Sequence, residues 1–318
     1  MEKDREKEKL YFLTGPTACG KTTLSIALAQ SMNAEIISAD SIQIYRGMDI
    51  GSAKPSEAER QGVAHHMLDI VPPDEKDYSV ARYRQDALSC ARDIAARGKK
   101  PLVVGGTGLY VNSLIYPLDF PSAPPDGALR AYWNEREAGE KGSAHKRLKE
   151  IDPQTAKRLY PNDVKRVIRA IEVIEGTGET LSSRGADFTK RDDENLPFRP
   201  VLAGLTLPRE TLYGRIEARV DAMMRAGLEN EVRALLKTGV EPALPAMQGL
   251  GYKQMAAYLR GECTRDEAIE TIKRETRRYA KRQLTWFRRE ERLRWFDATE
   301  HPNENALCGA VYAYFTEA

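Results

Sequence analysis

Cysteine and histidine are scarce in this chain of 318 residues, with four of each. The cysteines are scattered without a C-x-x-C pair, and the histidines show no spacing typical of metal ligands. The sequence therefore indicates neither a zinc site nor a disulfide framework. Scattered cysteines of this kind fit a reducing compartment, so we expect a cytoplasmic protein.

Long hydrophobic runs are also missing. No segment approaches the roughly 18 consecutive apolar residues of a membrane helix. Residues 1–9 carry mixed charge and no apolar stretch, which is untypical of a signal or transit peptide, so we expect no membrane partner. The apolar fraction of 41% is sufficient for a core, and the length allows one large α/β domain with an insertion, or two domains.

The most informative stretch is residues 15–22, which fits the phosphate-loop pattern G-x-x-x-x-G-K-[ST]. It follows an apolar, strand-like run and opens a helical pattern, a context that a chance Gly-rich turn rarely has. Backbone N–H groups and the helix N-terminus would bind a diphosphate, Lys21 would reach its terminal phosphate, and the Thr22 hydroxyl would hold Mg²⁺. The pattern does not say whether adenosine is attached. The predicted diphosphate-binding residues of the loop are Gly15, Pro16, Thr17, Ala18, Cys19, Gly20, Lys21 and Thr22.

Short apolar runs alternate with helical patterns through much of the chain, which predicts an α/β fold with a doubly wound parallel sheet. In such a sheet the ligand lies at the carboxyl ends of the strands. Beyond residue 208 the pattern is almost entirely helical. Strands are predicted at 10–13, 35–38, 67–71, 102–104 and 201–207, and a helix at 80–96.

The alternation of apolar runs and helical patterns is interrupted between residues 117 and 200. Prolines break the pattern at 117–125, two helical stretches follow, and residues 184–200 are charged and punctuated by prolines. We predict that 1–116 forms the first part of a phosphate-loop core, that 117–200 is a helical insertion, and that 201–318 completes the core and adds C-terminal helices.

Asp40 ends the second predicted strand. That position places its carboxylate in the crevice facing the phosphate loop, where it could act as a general base or help to hold Mg²⁺ through water. The alternative is a structural role in a turn or helix cap, where Asp is also favoured.

Three glycines in four residues, 105–108, follow the fourth predicted strand. They would let the backbone approach a ligand closely, and Thr107 could donate a hydrogen bond to it. A flexible turn between strand and helix explains the same residues equally well.

Residues 273–289 contain eight cationic residues and a single acid. The basic pairs recur at helical spacing, and aromatic residues lie beside them. A stripe of one sign on a helix is the footprint expected for a nucleic acid, whereas solvated helix faces usually mix both signs. The cations are Lys273, Arg274, Arg277, Arg278, Lys281, Arg282, Arg288 and Arg289.

A shorter stretch, residues 163–171, repeats this pattern. Its apolar positions 164, 167, 168 and 171 would face a core, which leaves Lys165, Arg166 and Arg169 on the opposite side. Taken alone, the stretch is equally typical of an ordinary amphipathic helix.

Together these motifs resemble the tRNA dimethylallyltransferases, also called tRNA isopentenyltransferases. The matches occur in order over roughly residues 10–296, and their combination is far more specific than the phosphate loop alone. The zinc-finger extension of some eukaryotic members is absent, so the chain resembles the bacterial form. The matching segments are 15–22, 37–46 (ISADSIQIYR), 47–55 (GMDIGSAKP), 65–69 (HHMLD), 105–110 (GGTGLY), 165–173 (KRVIRAIEV), 249–254 (GLGYKQ) and 281–288 (KRQLTWFR).

The resemblance implies transfer of a dimethylallyl group from dimethylallyl diphosphate to N6 of the adenosine 3′-adjacent to the anticodon of tRNA. It implies that Asp40 takes the proton from the attacking amine, that Lys21 and Thr107 assist catalysis, and that Arg219 contacts the diphosphate, with Arg215 as the open alternative. A cytoplasmic monomer with Mg²⁺ as cofactor is expected. The residues implied to contact tRNA are Asp40, Ser41, Ile42, Gln43, Thr107, Arg130, Lys165, Arg166, Val167, Ile168, Arg169, Lys281, Arg282, Gln283 and Arg288.

Three other functions use similar residues. A small-molecule kinase would use the same loop to transfer a phosphoryl group from ATP, but it has no need of the basic stripe. An adenylate isopentenyltransferase would perform the same chemistry on a mononucleotide. A non-catalytic RNA-binding protein could use the loop for regulation, against which the position of Asp40 argues.

Overall fold

The computed structural model describes residues 7–118, 126–183 and 193–318. The described residues fall into two compact units. The first takes the chain up to Ile115 and from Asp193 to Ala318, and the second takes the residues between them. Two stretches that the sequence analysis singled out, 117–125 and 184–200, lie partly outside the described residues. The domain boundaries at 117 and 200 stay a prediction.

A parallel six-stranded sheet forms the centre of the first unit, with strand order β3-β2-β4-β1-β5-β6. β1 lies in the middle, where Tyr11 is opposite Leu102 on one side and Val201 on the other. Nearly all of β1 and β2 is buried, as expected for parallel strands covered by helices on both faces. The strands are β1 Lys9–Thr14, β2 Ala34–Ser38, β3 His65–His66, β4 Lys100–Gly105, β5 Arg199–Thr206 and β6 Arg294–Asp297.

The predicted α/β class with a phosphate loop is confirmed, and four of the five predicted strands are present. The strand predicted at 67–71 is wrong. Met67 and Asp69 have φ angles of 62° and 55°, which break an extended chain, so the strand consists of His65–His66 instead. β6 was not predicted, because the sequence after 208 looked helical throughout.

Helices cover the sheet of the first unit and also form a cluster of their own. α1 and α13 pack with β1 and β5 in one hydrophobic core, and α9 to α12 enclose a second core around Tyr252. The helices of this unit are α1 Lys21–Met32, α2 Glu57–Arg60, α3 Val80–Ala96, α4 Gly108–Ile115, α9 Arg209–Ala226, α10 Leu228–Lys237, α11 Tyr252–Leu259, α12 Arg265–Phe287 and α13 Glu304–Glu317.

The longest of these helices, α12, begins with a capping box. The Thr264 side chain accepts a hydrogen bond from the backbone N–H of Glu267, and the Glu267 carboxylate accepts one from the backbone N–H of Thr264. No helix among the described residues is both long and apolar enough to cross a membrane.

The second unit is helical where the structure describes it. Its core contains Trp133, Leu148, Val167 and Ile171, so the apolar side of the predicted 163–171 helix is buried as expected. Its helices are α5 Gly127–Gly139, α6 Ser143–Ile151, α7 Pro153–Arg158 and α8 Val164–Thr177.

Candidate active site

The phosphate loop joins β1 to α1 at the carboxyl end of the central strand. The Lys21 ammonium donates hydrogen bonds to the carbonyl oxygens of Gly15 at 3.0 Å and Pro16 at 2.7 Å. Burial lowers the pKa of Lys21, and the nearby Cys19 and Asp40 side chains oppose that shift. Gly20 gives α1 no side-chain cap, so the first N–H groups of the helix are available to an anion.

Asp40 follows β2 and faces the same cavity as the phosphate loop. Its Oδ1 accepts hydrogen bonds from the backbone N–H of Ile42 at 2.9 Å and of Gln43 at 3.3 Å. The carboxylate therefore does cap the turn that follows β2. Its second oxygen makes no hydrogen bond to the described residues, so capping leaves an oxygen for other chemistry.

Thr107 connects the Gly-rich segment 105–108 to the Asp40 turn. Its backbone N–H donates to the carbonyl of Ala39 at 3.1 Å, and its hydroxyl accepts from the backbone N–H of Ser41 at 3.1 Å. The segment also lies tightly against α12. A Cβ on Gly106 would lie 2.2 Å from Nε2 of Gln283, and one on Gly108 would lie 2.3 Å from the Trp286 ring.

Gln283 links α12 to both loops and is almost fully buried. Its Oε1 accepts a hydrogen bond from the backbone N–H of Thr17 at 2.9 Å, and its Nε2 donates to the carbonyl of Gly106 at 2.8 Å. Both ends of the amide therefore hold loops in place. This role is different from the tRNA contact that the resemblance implies for Gln283, and that contact stays a prediction.

A cavity of about 720 Å³ in the first unit brings many of the predicted residues together. From the phosphate loop it receives 17, 18 and 20–22, and from the Asp40 turn 40–43. Both Arg215 and Arg219 of α9 line it, so the open choice between them is not decided by position. Burial lowers the pKa of Arg219, and the nearby Asp40 carboxylate opposes that shift. Thr107, Lys281 and Arg288 are not among the lining residues.

Sequence reasoning missed much of the cavity wall. The unpredicted parts of the wall are Ile216, Val220 and Met223 of α9, residues 245 and 248–250, and residues 51–53. The segments 47–55 and 249–254 had been noticed only as family motifs without a role. Tyr279 of α12, seen in the sequence as an aromatic anchor, also lines the cavity, and burial together with Asp40 raises its pKa to about 12.

No group of three or more His, Cys, Asp or Glu side chains in the described parts of the chain could hold a metal ion. The cavity nevertheless offers oxygen donors of the kind that Mg²⁺ prefers, since the Thr22 hydroxyl and the Asp40 carboxylate both line it. These residues suit a Mg²⁺ ion that takes its remaining ligands from phosphate and water.

Two family models match this chain. The IPP transferase family model matches residues 43–290, and the isopentenyl transferase model matches residues 8–74, which include the phosphate loop. A tRNA dimethylallyltransferase from Pelotomaculum thermopropionicum is 48% identical over 93% of this chain and 92% of its own. The chain belongs to the tRNA dimethylallyltransferase family. The resemblance drawn from the sequence motifs is thereby confirmed.

Solved structures agree with this membership. The full-length tRNA isopentenylpyrophosphate transferase of Bacillus halodurans superposes with a TM-score of 0.73 at 40% identity, covering 98% of this chain and 96% of the other. A eukaryotic dimethylallyltransferase described as acting on tRNA has a TM-score of 0.77 at 29% identity, covering 92% and 74%.

The basic helix α12 of this family member presents less free charge than its sequence indicates. Lys273 pairs with Asp221 at 2.8 Å and Arg277 with Glu217 at 2.6 Å, and both acids lie on α9. Asp221 and Glu217 compensate two cations of the 273–289 stretch, and Arg274 and Arg278 share the nearby Glu275. The positive charge predicted from the sequence is therefore reduced in the first half of that stretch.

In the second unit two predicted tRNA contacts, Arg130 and Arg169, share one buried carboxylate. The Glu172 carboxylate forms an ion pair with each guanidinium group, at 2.9 Å with Arg130 and at 2.5 Å with Arg169. Arg166 pairs with Asp163 at 3.2 Å, and Lys165 is exposed.

Two apolar members of the same predicted contact set, Val167 and Ile168, lie in the core of the second unit, 0% and 3% exposed. Their burial contradicts a contact with tRNA through their side chains. The polar positions of the 165–169 segment are the ones that reach its surface.

Proposed function

We propose that the chain transfers the dimethylallyl group of dimethylallyl diphosphate to N6 of the adenosine 3′-adjacent to the anticodon in tRNA, and releases diphosphate. Family membership supports the reaction class. The observation that carries the mechanism is the cavity in which the phosphate loop, Asp40 and Arg219 lie together.

The phosphate-binding side of the cavity stabilises the leaving group. As the bond between C1 of the prenyl group and the diphosphate oxygen breaks, negative charge develops on that oxygen. Lys21, Arg219 and the N–H groups at the start of α1 are positioned to stabilise this charge. Mg²⁺ held by the Thr22 hydroxyl would neutralise further phosphate charge.

Asp40 acts on the nucleophile. The exocyclic amine of adenine is weakly nucleophilic, and it must lose a proton as the new N6–C1 bond forms. A carboxylate oriented by two backbone N–H groups, with its second oxygen unused, can accept that proton as general base.

The adenosine has to leave its stack to enter the cavity, so an unpaired base in a loop is the expected substrate. The exposed cations Lys281, Arg282 and Arg288 on and beside α12 would bind the phosphates around it. A monomer stays the expected oligomeric state. The four cysteines are free thiols, which supports a cytoplasmic location.

The test measures transfer of labelled dimethylallyl diphosphate to unmodified tRNA. We expect Asp40→Asn to lower turnover by about 10²–10⁴-fold, the range for loss of a general base, with both substrates still bound. Asp93→Asn on α3, which removes only a surface pair with Arg97, is the matched control. Wild-type turnover by Asp40→Asn would reduce Asp40 to a cap.

Alternative acceptors separate this function from its competitors. We expect an isolated anticodon stem-loop to be prenylated more weakly than whole tRNA, and AMP not to be modified. Efficient prenylation of AMP would identify an adenylate isopentenyltransferase, and consumption of ATP without transfer would identify a kinase.

A further inference from the structure

Glu231 on α10 binds a loop that is 180 residues away in sequence. Its Oε2 accepts hydrogen bonds from the backbone N–H groups of Asp49 at 2.9 Å and Ile50 at 2.8 Å. Its Oε1 accepts one from the N–H of Gly51 at 3.0 Å and one from the hydroxyl of Tyr252 at 2.7 Å. One carboxylate thus fixes three consecutive backbone groups.

Tyr252 is a dependable donor in this arrangement. Its side chain is fully buried, and burial together with the adjacent Glu231 raises the pKa of its hydroxyl, which therefore stays protonated. The same loop is held from another direction by Lys54, whose ammonium is almost fully buried and bonds to the carboxylates of Asp49 and Asp69. The loop is therefore fastened on two sides.

The loop continues directly into the cavity wall. Gly51, Ser52 and Ala53 line the cavity, and the carbonyl oxygens of Ser52 and Ala53 each accept a hydrogen bond of 3.3 Å from Nε2 of Gln43. The Gln43 Oε1 in turn accepts a hydrogen bond from the Ser38 hydroxyl at 3.0 Å. Both ends of this amide are therefore used to join the loop to the end of β2.

Gln43 also belongs to the turn that orients Asp40, because its backbone N–H donates to Oδ1 of that carboxylate. Hydrogen bonds joined by the covalent chain therefore lead from Glu231 through residues 49–53 and Gln43 to Asp40. Since placement errors of about 1 Å at a reacting group can cost on the order of 10²-fold in rate, the start of this path matters to the reaction.

We propose that Glu231 is a positioning residue for the transfer reaction: by fixing the backbone of residues 49–51 it sets the orientation of Gln43 and of the Asp40 carboxylate. This inference rests on the proposed function. Glu231 itself is not a catalytic residue, because its carboxylate is occupied by the loop and by Tyr252. The phosphate loop receives no bond from it, so diphosphate binding is independent of it.

Glu231→Gln tests this directly. Each carboxylate oxygen accepts two bonds, so an amide nitrogen at either position faces two donors, and the variant loses two of four hydrogen bonds whichever way it turns. The matched control is Glu229→Gln, two residues earlier on α10, where the carboxylate pairs with Arg233 and Arg265 instead of the loop.

The readout is the single-turnover rate constant, with enzyme in excess over labelled dimethylallyl diphosphate and with saturating tRNA. We expect Glu231→Gln to lower this constant by about 10- to 100-fold, with the KM for dimethylallyl diphosphate within about twofold of wild type. Glu229→Gln should match wild type in both. A purely structural role would lower the fraction of folded enzyme, measured separately by circular dichroism and thermal unfolding, and leave the rate constant of the folded enzyme unchanged.

An unchanged rate constant in a folded Glu231→Gln variant overturns the proposal, as does a loss of folded fraction alone. If that variant does not fold, Tyr252→Phe replaces it. This change removes one bond and should lower the rate constant by about threefold, and an unaltered constant there also overturns the proposal. Absence of transfer by the wild-type chain would instead contradict the proposed function.

Discussion

Two groups of cations on and beside α12 lie in different environments. In the first group, Lys273 and Arg277 are partly buried and paired with acids of α9. Lys281, Arg282 and, just after the helix, Arg288 are exposed and make no ion pair within the described parts of the chain. The charge available to a polyanion is therefore set by the acids that neighbouring helices supply, more than by the basic residues in the helix itself.

The second unit shows the same effect in a more buried form. Glu172 is itself buried, and it gathers Arg130 and Arg169, whose side chains remain partly exposed. Glu172 holds these arginines in place. By this comparison, we expect Lys281, Arg282 and Arg288 to contribute most to attraction of tRNA at long range.

The largest expected effect concerns the exposed cations Lys281, Arg282 and Arg288. Replacing Lys281, Arg282 and Arg288 together by Ala should weaken tRNA binding by about 10²-fold at moderate salt, because each lost phosphate contact removes about 0.7–0.9 from the slope of log affinity against log salt. The slope should therefore decrease in magnitude by about 2–3. The measurement is a salt titration of tRNA affinity. The KM for dimethylallyl diphosphate of a Lys281→Ala, Arg288→Ala double variant, which keeps the cavity-lining Arg282, is the control that should not change. A slope equal to that of wild type would show that this surface is only solvated.

A smaller effect is expected at the buried carboxylate. Glu172→Gln should lower the free energy of unfolding by about 1–3 kcal/mol at pH 7, because it weakens charge-assisted hydrogen bonds to two arginines. Bonds with Arg130 and Arg169 lower the pKa of Glu172, so its stabilisation is full above about pH 4.3 and is lost as the pH falls below it.

The difference between wild type and Glu172→Gln should accordingly shrink in acid. Thermal or urea unfolding at pH 7 and at about pH 3 measures it, with the exposed Glu175→Gln on the same helix as control. A difference that stays constant between the two pH values would mean that Glu172 contributes packing alone.

The smallest effect is expected at the cations of α12 that pair with acids of α9. Replacing Lys273 and Arg277 by Ala should change tRNA affinity by less than about threefold, since their charges are already compensated by Asp221 and Glu217. The same salt titration measures this effect. If this double replacement weakened tRNA binding as much as replacing Lys281, Arg282 and Arg288 does, the distinction between paired and unpaired cations would be wrong.

Local patterns were sufficient for most of the sheet. The run at 10–13 is apolar on both sides, as a central parallel strand must be, and it lies in β1. β6, by contrast, lies at the edge of the sheet, and its sequence Arg-Trp-Phe-Asp has one fully buried side chain, so it carries little signal. β3 was misplaced because the apolar residues after it are buried by a turn of the chain, in which Met67 and Asp69 take left-handed backbone angles.

The candidate site likewise has parts that local sequence predicts and parts that it does not. The phosphate loop and Asp40 could be predicted because each depends on a few neighbouring residues and on its position after a strand. The contributions of Arg219, Tyr279 and Glu231 could not be derived from spacing, because tertiary packing brings α9 and α12 to the cavity and α10 to the loop at residues 49–51. For the same reason, a count of charges along the sequence cannot reveal that Arg277 pairs with Glu217, an acid 60 residues away.

The close packing of Gly106 and Gly108 against α12 has a consequence for how mutational data on this segment should be read. A single methyl group at either position would overlap Gln283 or Trp286. Loss of activity on substitution there would report excluded volume, and it would occur even if neither glycine ever touched a substrate. Intolerance to mutation at these two positions is thus no evidence of chemistry, whereas a change at Thr107 between them alters a hydroxyl without adding bulk to either contact.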